Sequence, residues 1–220
     1  MAATPRDKPH PILDPLDRNA EILFGLFMCL TFTGTIGVAT AGREDVRTMM
    51  IAAIGGNAAW GLVDGIMFIL RSLVTRGHLM SVGRAVRAAP DPAEGRALIA
   101  DELDPRFVRA MGEDAVERIR AAVAAAPQSS SGPRLEWEEI QAAVAIFFMV
   151  FLATLPVVLP FLFIADVLMA KRVSALVAIV MLFGCGYTWG RHAGQPPLRV
   201  GAIMVLLGVT IESVVIALGG

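Results

Sequence analysis

Five stretches of this chain are apolar for long enough to cross a lipid bilayer, and no other feature narrows its possible folds so far. Ile22–Ala41 runs for 20 residues without a charge and Thr48–Leu70 for 23 with Asp64 alone. Ala142–Ala165 (24 residues) and Val173–Gly190 (18) carry none, and Val200–Gly220 (21) carries only Glu212. At about 1.5 Å per residue, about 20 helical residues cover a hydrocarbon core of roughly 30 Å. Lipid offers no partner to a backbone N–H or C=O, so such runs must be helices, which satisfy those groups internally. Pro156 and Pro160 fall inside the third run, where they are expected to kink the helix or break its hydrogen-bond ladder rather than end it. Only 18% of the residues are charged, against about a quarter in soluble domains. The expected fold class is therefore all-α: a polytopic membrane protein with five transmembrane helices, a helical insert between spans 2 and 3, and the lipid bilayer as partner.

Basic residues set the expected orientation. Residues 1–21, 71–141 and 191–199 hold fifteen Lys and Arg, whereas 42–47, 166–172 and the C-terminus hold four. The positive-inside rule then puts the N-terminus and the insert in the cytoplasm and the C-terminus outside it, with a bacterial inner membrane as the expected location. A rival reading takes Ala39-Thr40-Ala41 as a signal-peptidase site. The apolar run before it is longer than the usual 7–15 residues and follows Asp7, Asp14, Asp17 and Glu21, which favours a retained span.

The expected domains are a disordered cytoplasmic arm over 1–20, rich in proline, spans 1 and 2 over 21–72, the insert over 73–136, and spans 3 to 5 over 137–220. Asp91-Pro92 and Asp104-Pro105 read as helix starts, with Asp as cap and Pro in the first turn, so two amphipathic helices are expected in the insert. In the second, Phe107, Val108, Met111, Ala115, Ile119 and Val123 recur at helical spacing as an inner face, leaving Arg109, Glu113, Glu117 and Arg120 outside.

Polar groups inside the spans carry the chemistry. Asp64 lies about 9 Å from the cytoplasmic end of span 2. An ionised carboxylate there costs about 2.5–3.5 kcal/mol on insertion scales, so it is expected to face a wet cavity or a partner. The bland alternative is a hydrogen bond to a neighbouring helix. Glu21 sits at the cytoplasmic mouth of span 1, where it either flanks the same entrance or is an ordinary interfacial charge. Asn57, near mid-membrane, is a ligand or interhelical glue. Met28 lies seven residues after Glu21 on the same helix face, and its thioether suits Fe²⁺ or Mn²⁺ better than Mg²⁺, although most methionines only fill cores. Glu212 reads as an exit-side acid or proton carrier.

Other classes are excluded. A net charge of -1 rules out a strongly basic nucleic-acid binder, and Cys29 and Cys185, both in apolar runs, give neither a disulfide framework nor a cysteine zinc site. The chain lacks H-E-x-x-H, G-x-S-x-G and Walker motifs, and His10, His78 and His192 have no ligand spacing, so no enzyme is expected.

Several stretches resemble the vacuolar iron transporter family of divalent metal/proton exchangers. Glu21-Ile22-Leu23-Phe24-Gly25-Leu26 is similar to the opening of the family's first span, and Leu155-Pro156-Val157-Val158-Leu159-Pro160-Phe161 to the paired prolines of its third. Leu182-Phe183-Gly184 through Gly190-Arg191, then Pro197-Leu198-Arg199 and Gly208, resemble its last two spans and their loop. The likeness is carried by the spans, with the arm and most of the insert outside it. It implies a metal-carrying role for Glu21 and for Asp64, the equivalent of an acid in the family's second span, where Trp60 replaces a methionine. Where the family has a ligand Asp followed by Gly, Met28-Cys29 stand here. The resemblance also implies metal capture in the insert, for which Glu113, Glu117, Glu138, Glu139 and Met111 are the candidates.

The expected function is a homodimeric transporter that exports a divalent cation, Fe²⁺ or Mn²⁺, from the cytoplasm, in exchange for protons. No cofactor is tightly bound, and the metal is the transported substrate. The alternative, from another class, is a membrane-anchored helical interaction protein that has lost transport.

Overall fold

The computed structural model describes Leu13 and residues 15–35, 43–127 and 132–218. These residues form eight helices and no strand: α1 (Pro15–Gly34), α2 (Arg43–Ala88), α3 (Pro92–Asp101), α4 (Pro105–Met111), α5 (Glu113–Ala125), α6 (Trp137–Phe163), α7 (Val167–His192) and α8 (Pro197–Ala217). The all-helical expectation holds. Among the described residues α2, α6, α7 and α8 are long and apolar enough to cross a membrane. Leu162, Phe163, Leu176, Val180 and Leu206 point outward from them, more than half exposed, a surface suited to acyl chains and not to water. The chain is an integral, multi-pass membrane protein.

The first apolar run differs from its expected bounds. Its helix begins at Pro15, with Asp17 in the first turn, where a carboxylate complements the amide-rich helix end. Residues 15–20, expected in a disordered arm, are thus helical and Leu13 is buried against Ala142 and Ile146, while 1–12, 14 and 36–42 lie outside the described residues. The start at Pro15 brings Asp17, Arg18 and Glu21 into α1, which does not rank with the four spanning helices. Pro156 and Pro160 stay inside one continuous α6, as expected.

The chain divides into two compact units, Met1–Phe68 with Trp137–Gly220, and Ile69–Glu136; α2 contributes to both. In the first unit α1 packs against α6, α7 and α8, and α6 against α7. Leu26, Val150, Val157 and Leu182 are fully buried in its core. α7 and α8 form a hairpin whose turn holds Gly194 at φ +66°, and a Cβ on Gly186 would lie 2.8 Å from the Gly201 Cα. Backbones in such contact gain dispersion energy, the main attraction left where lipid removes the hydrophobic one.

The second unit corrects the reading of the insert. Asp91 and Asp104 do cap α3 and α4, accepting hydrogen bonds from the Ala93 and Arg106 amides. The expected second helix, however, is broken at Gly112 into α4 and α5. Gly112 has φ +75° and ψ 168°, a conformation essentially reserved for glycine. The break turns the apolar stripe away from a single inner face. Phe107, Met111 and Ile119 are exposed, and the core is built from Val86, Ile99 and Val116, with Val82, Leu98, Leu103, Val108 and Val123 around it.

Glu117, expected on the outer face, is engaged at the side of α5. Its oxygens accept from Arg120 at 2.7 Å and from Arg96 of α3 at 3.2 Å. The Arg120 hydrogen bond, helped by Arg96, holds its carboxyl down to about 2, against an ordinary 4.5. Because folding lowers this pKa, the charged group stabilises the unit above about pH 4.5, and the contribution fades as pH falls through about 2. Glu117→Gln is expected to lower the denaturation midpoint of the insert's helices at pH 7, with the gap to the native chain closing as pH approaches 2. Hydrogen exchange over α3 and α5 reads the effect, and a gap independent of pH would contradict it.

Candidate functional site along the α1–α2 seam

Three glycines bring α1 and α2 onto the backbone of α6. A Cβ on Gly25 would lie 2.7 Å from the Val150 oxygen, one on Gly61 3.0 Å from that of Phe147, and one on Gly65 2.8 Å from that of Ala143. Helices seated this closely on a common neighbour also meet each other. Phe24 and Trp60 stack edge to face with centroids 5.9 Å apart, and a Cβ on Gly56 would touch the Phe32 ring. Gly25 itself is bonded to Asn57.

That register fixes where the sequence-predicted residues lie. Gly25 faces Asn57 and Phe24 faces Trp60, so α1 and α2 run antiparallel. One turn further along, Glu21 and Asp64 stand at the same level. On α1, Glu21, Phe24, Gly25 and Met28 share one stripe at helical spacing; on α2, Asn57, Trp60, Gly61 and Asp64 share the facing one. Glu21, Met28 and Asp64 are half-buried, each with an interior and an outward side, whereas Asn57 is completely buried. The four residues therefore line one seam: the acids at one end, Met28 and Asn57 about two turns deeper.

Asn57 is the knot of the seam. Its Nδ2 donates to the Gly25 carbonyl at 2.9 Å and to Thr154 Oγ1 of α6, while Thr154 donates to the Val150 carbonyl at 3.4 Å. Its Oδ1 has no hydrogen-bond partner among the described residues. The interhelical-glue reading of Asn57 thus describes its nitrogen, and only its oxygen remains open to a ligand. Thr154, which sequence reasoning passed over, is a hydroxyl in a proline-containing apolar run; nothing local marks it as the partner of α2. Asn57→Ala removes two interhelical bonds and leaves a cavity, an expected loss of about 2–3 kcal/mol. Thr154→Val is expected to cost about 1 kcal/mol, and the double variant about 1 kcal/mol less than the sum. Reversible unfolding in mixed micelles measures this; strict additivity would mean that the two side chains do not act together.

The remaining candidates lie apart from the seam's acids. Glu212 of α8 is half-buried beside the far end of α1, its Cγ 3.8 Å from where a Gly34 Cβ would stand. Gly34 is thirteen residues beyond Glu21, about 20 Å along the helix. Glu138 and Glu139 open α6 in the first unit. Glu113 opens α5 in the second unit and is exposed, and Glu117 is held by its two arginines. Among the described residues no three His, Cys, Asp or Glu side chains converge as a complete metal cage. A cavity of about 580 Å³ lies between the start of α2 and the α6–α7 corner, lined by Val46, Met50, Ile54, Phe161 and Ile164 with Arg47. It contains none of the candidates, and its one charge would repel a cation.

The family model for the VIT family matches residues 89–219, well over half of the 220-residue chain. The match takes in α3 to α8, so it covers residues 89–136 of the insert, most of which lies outside the motif resemblance, and Glu113, Glu117, Glu138, Glu139 and Glu212. Glu21, Met28, Asn57 and Asp64 precede it. No curated protein matches the chain. On this match the chain belongs to the VIT family, the vacuolar iron transporters that its span motifs resemble.

Proposed function

We propose that the protein is a membrane metal-ion transporter rather than an enzyme, and that it exports a divalent cation, Fe²⁺ or Mn²⁺, from the cytoplasm in exchange for protons. Family membership supports the metal-ion class. The observation that carries the finer reading is the antiparallel register of α1 and α2, which sets Glu21 level with Asp64 and lines Met28 and Asn57 along the same seam. Two carboxylates at one level favour a divalent cation through charge, and a thioether and an amide oxygen deeper along the seam continue the ligand set toward softer metals. Each carboxylate that releases the metal takes up a proton, which keeps the charge buried in the membrane small and couples the two flows. Glu212, at the far end of α1, serves as the exit-side proton carrier.

One seam offers fewer ligands than the six or so oxygen-rich sites use. A homodimer that brings two copies of α1 together across a two-fold axis doubles the set. Glu138 and Glu139 in the first unit, and independently Glu113 in the second, are the cytoplasmic metal-capture groups of this reading; Glu117, engaged by Arg96 and Arg120, contributes only after releasing them.

Uptake of Mn²⁺ into proteoliposomes under a pH gradient tests the proposal. Accumulation that depends on the gradient and exceeds that of protein-free liposomes is the expected result. Absence of both Mn²⁺ and Fe²⁺ uptake in correctly inserted protein would leave the second reading, a helical module that the spans merely tether.

A further inference from the structure

Between Met28 and Glu212 the proposed path has a gap. Met28 lies about 10 Å along α1 from Glu21, and Gly34, beside Glu212, about 20 Å. From Asn19 to Gly34 every residue of α1 is buried or half-buried, and five of the half-buried ones line up along the helix. Ala20, Phe24, Phe27, Met28 and Thr31 follow at three- and four-residue spacing and form one open strip. Its edges are set by α2, which meets Phe24 and Phe32, and by α8, which meets Leu30 and Gly34.

Thr31 is the polar group on that strip midway across the gap. Its hydroxyl donates its single proton to the Met28 carbonyl at 2.6 Å. The oxygen is thus left with lone pairs only, an acceptor suited to a cation. Thr33 makes the same kind of back-bond, to the Cys29 carbonyl at 3.1 Å, but, two residues beyond Thr31, it lies on the other side of α1, off that strip. We propose that Thr31 contacts the moving ion between Met28 and Glu212, supplying a hard oxygen ligand that helps to set metal preference. The inference rests on the transport reading given above.

The test uses the full chain in proteoliposomes, with Mn²⁺ and Cd²⁺ uptake measured on each preparation. Thr31→Val keeps the shape and removes the oxygen; it is expected to lower kcat/KM for Mn²⁺ by about tenfold. Thr31→Ser retains the oxygen and is expected to stay within about twofold of the native chain. Thr31→Cys replaces oxygen by sulfur and is expected to raise the Cd²⁺ to Mn²⁺ uptake ratio by about tenfold. That ratio does not depend on how much protein folds, so a merely structural threonine would leave it unchanged. Native uptake by Thr31→Val, or an unchanged ratio in Thr31→Cys, overturns the proposal. If Asp64→Asn abolishes uptake while Thr31→Val does not, only the role of Thr31 fails. If the native chain moves neither cation, the transport reading fails with it.

Discussion

Leucine at position 25 is expected to prevent α1, α2 and α6 from assembling as they do in the native chain. Even a bare Cβ there would sit 2.7 Å from the Val150 oxygen and 3.2 Å from the Ala153 Cβ, and the nearest obstacle is backbone, which cannot rotate away. A whole isobutyl group must push α1 off α6, and the displacement carries the Gly25 carbonyl away from Asn57. Overpacking of a dense interior costs typically 1–3 kcal/mol. With the interhelical bond lost as well, Gly25→Leu is expected to cost about 3 kcal/mol or more. Unfolding in mixed micelles measures the loss directly, with Gly55→Leu as the control, because a Cβ at Gly55 meets nothing within 4 Å. Equal stability of the two variants would mean that the close approach of α1 to α6 does not hold the seam together.

The same contacts show which parts of the protein could be read from the sequence. Apolar runs were visible because lipid allows only one economical backbone solution, and the four longest helices follow them. Asp64 and Asn57 stood out because a polar group in hydrocarbon demands a partner. The Asp caps of α3 and α4 were legible as well, since an Asp-Pro pair acts locally.

What was hidden depended on distant or conformational facts. Phe107, Met111, Ala115 and Ile119 keep perfect helical spacing across Gly112, and periodicity does not register the positive φ that splits them. Glu117 reads as a solvated charge until Arg96, twenty-one residues away, is brought beside it by α3. Thr154 and Thr31 sit in apolar runs, where a threonine gives almost no signal. Their importance comes from Asn57 on one side and the open strip of α1 on the other. The level shared by Glu21 and Asp64 likewise follows from Gly25 meeting Asn57, a contact between helices that no spacing within one helix encodes.

The central claim is that the ionisable group of α2 faces a passage used by the ion. Asp64 is half-buried on the stripe that faces α1, level with Glu21, so a neutral side chain there removes one of the two seam carboxylates. Asp64→Asn keeps the volume and a carbonyl oxygen but neither binds a proton nor balances a divalent cation. The most direct measurement is gradient-driven Mn²⁺ uptake by native and Asp64→Asn protein reconstituted at equal density. The account predicts a fall of about a hundredfold or more in the variant, while its unfolding midpoint stays close to that of the native chain. Equal uptake by the two proteins would contradict it.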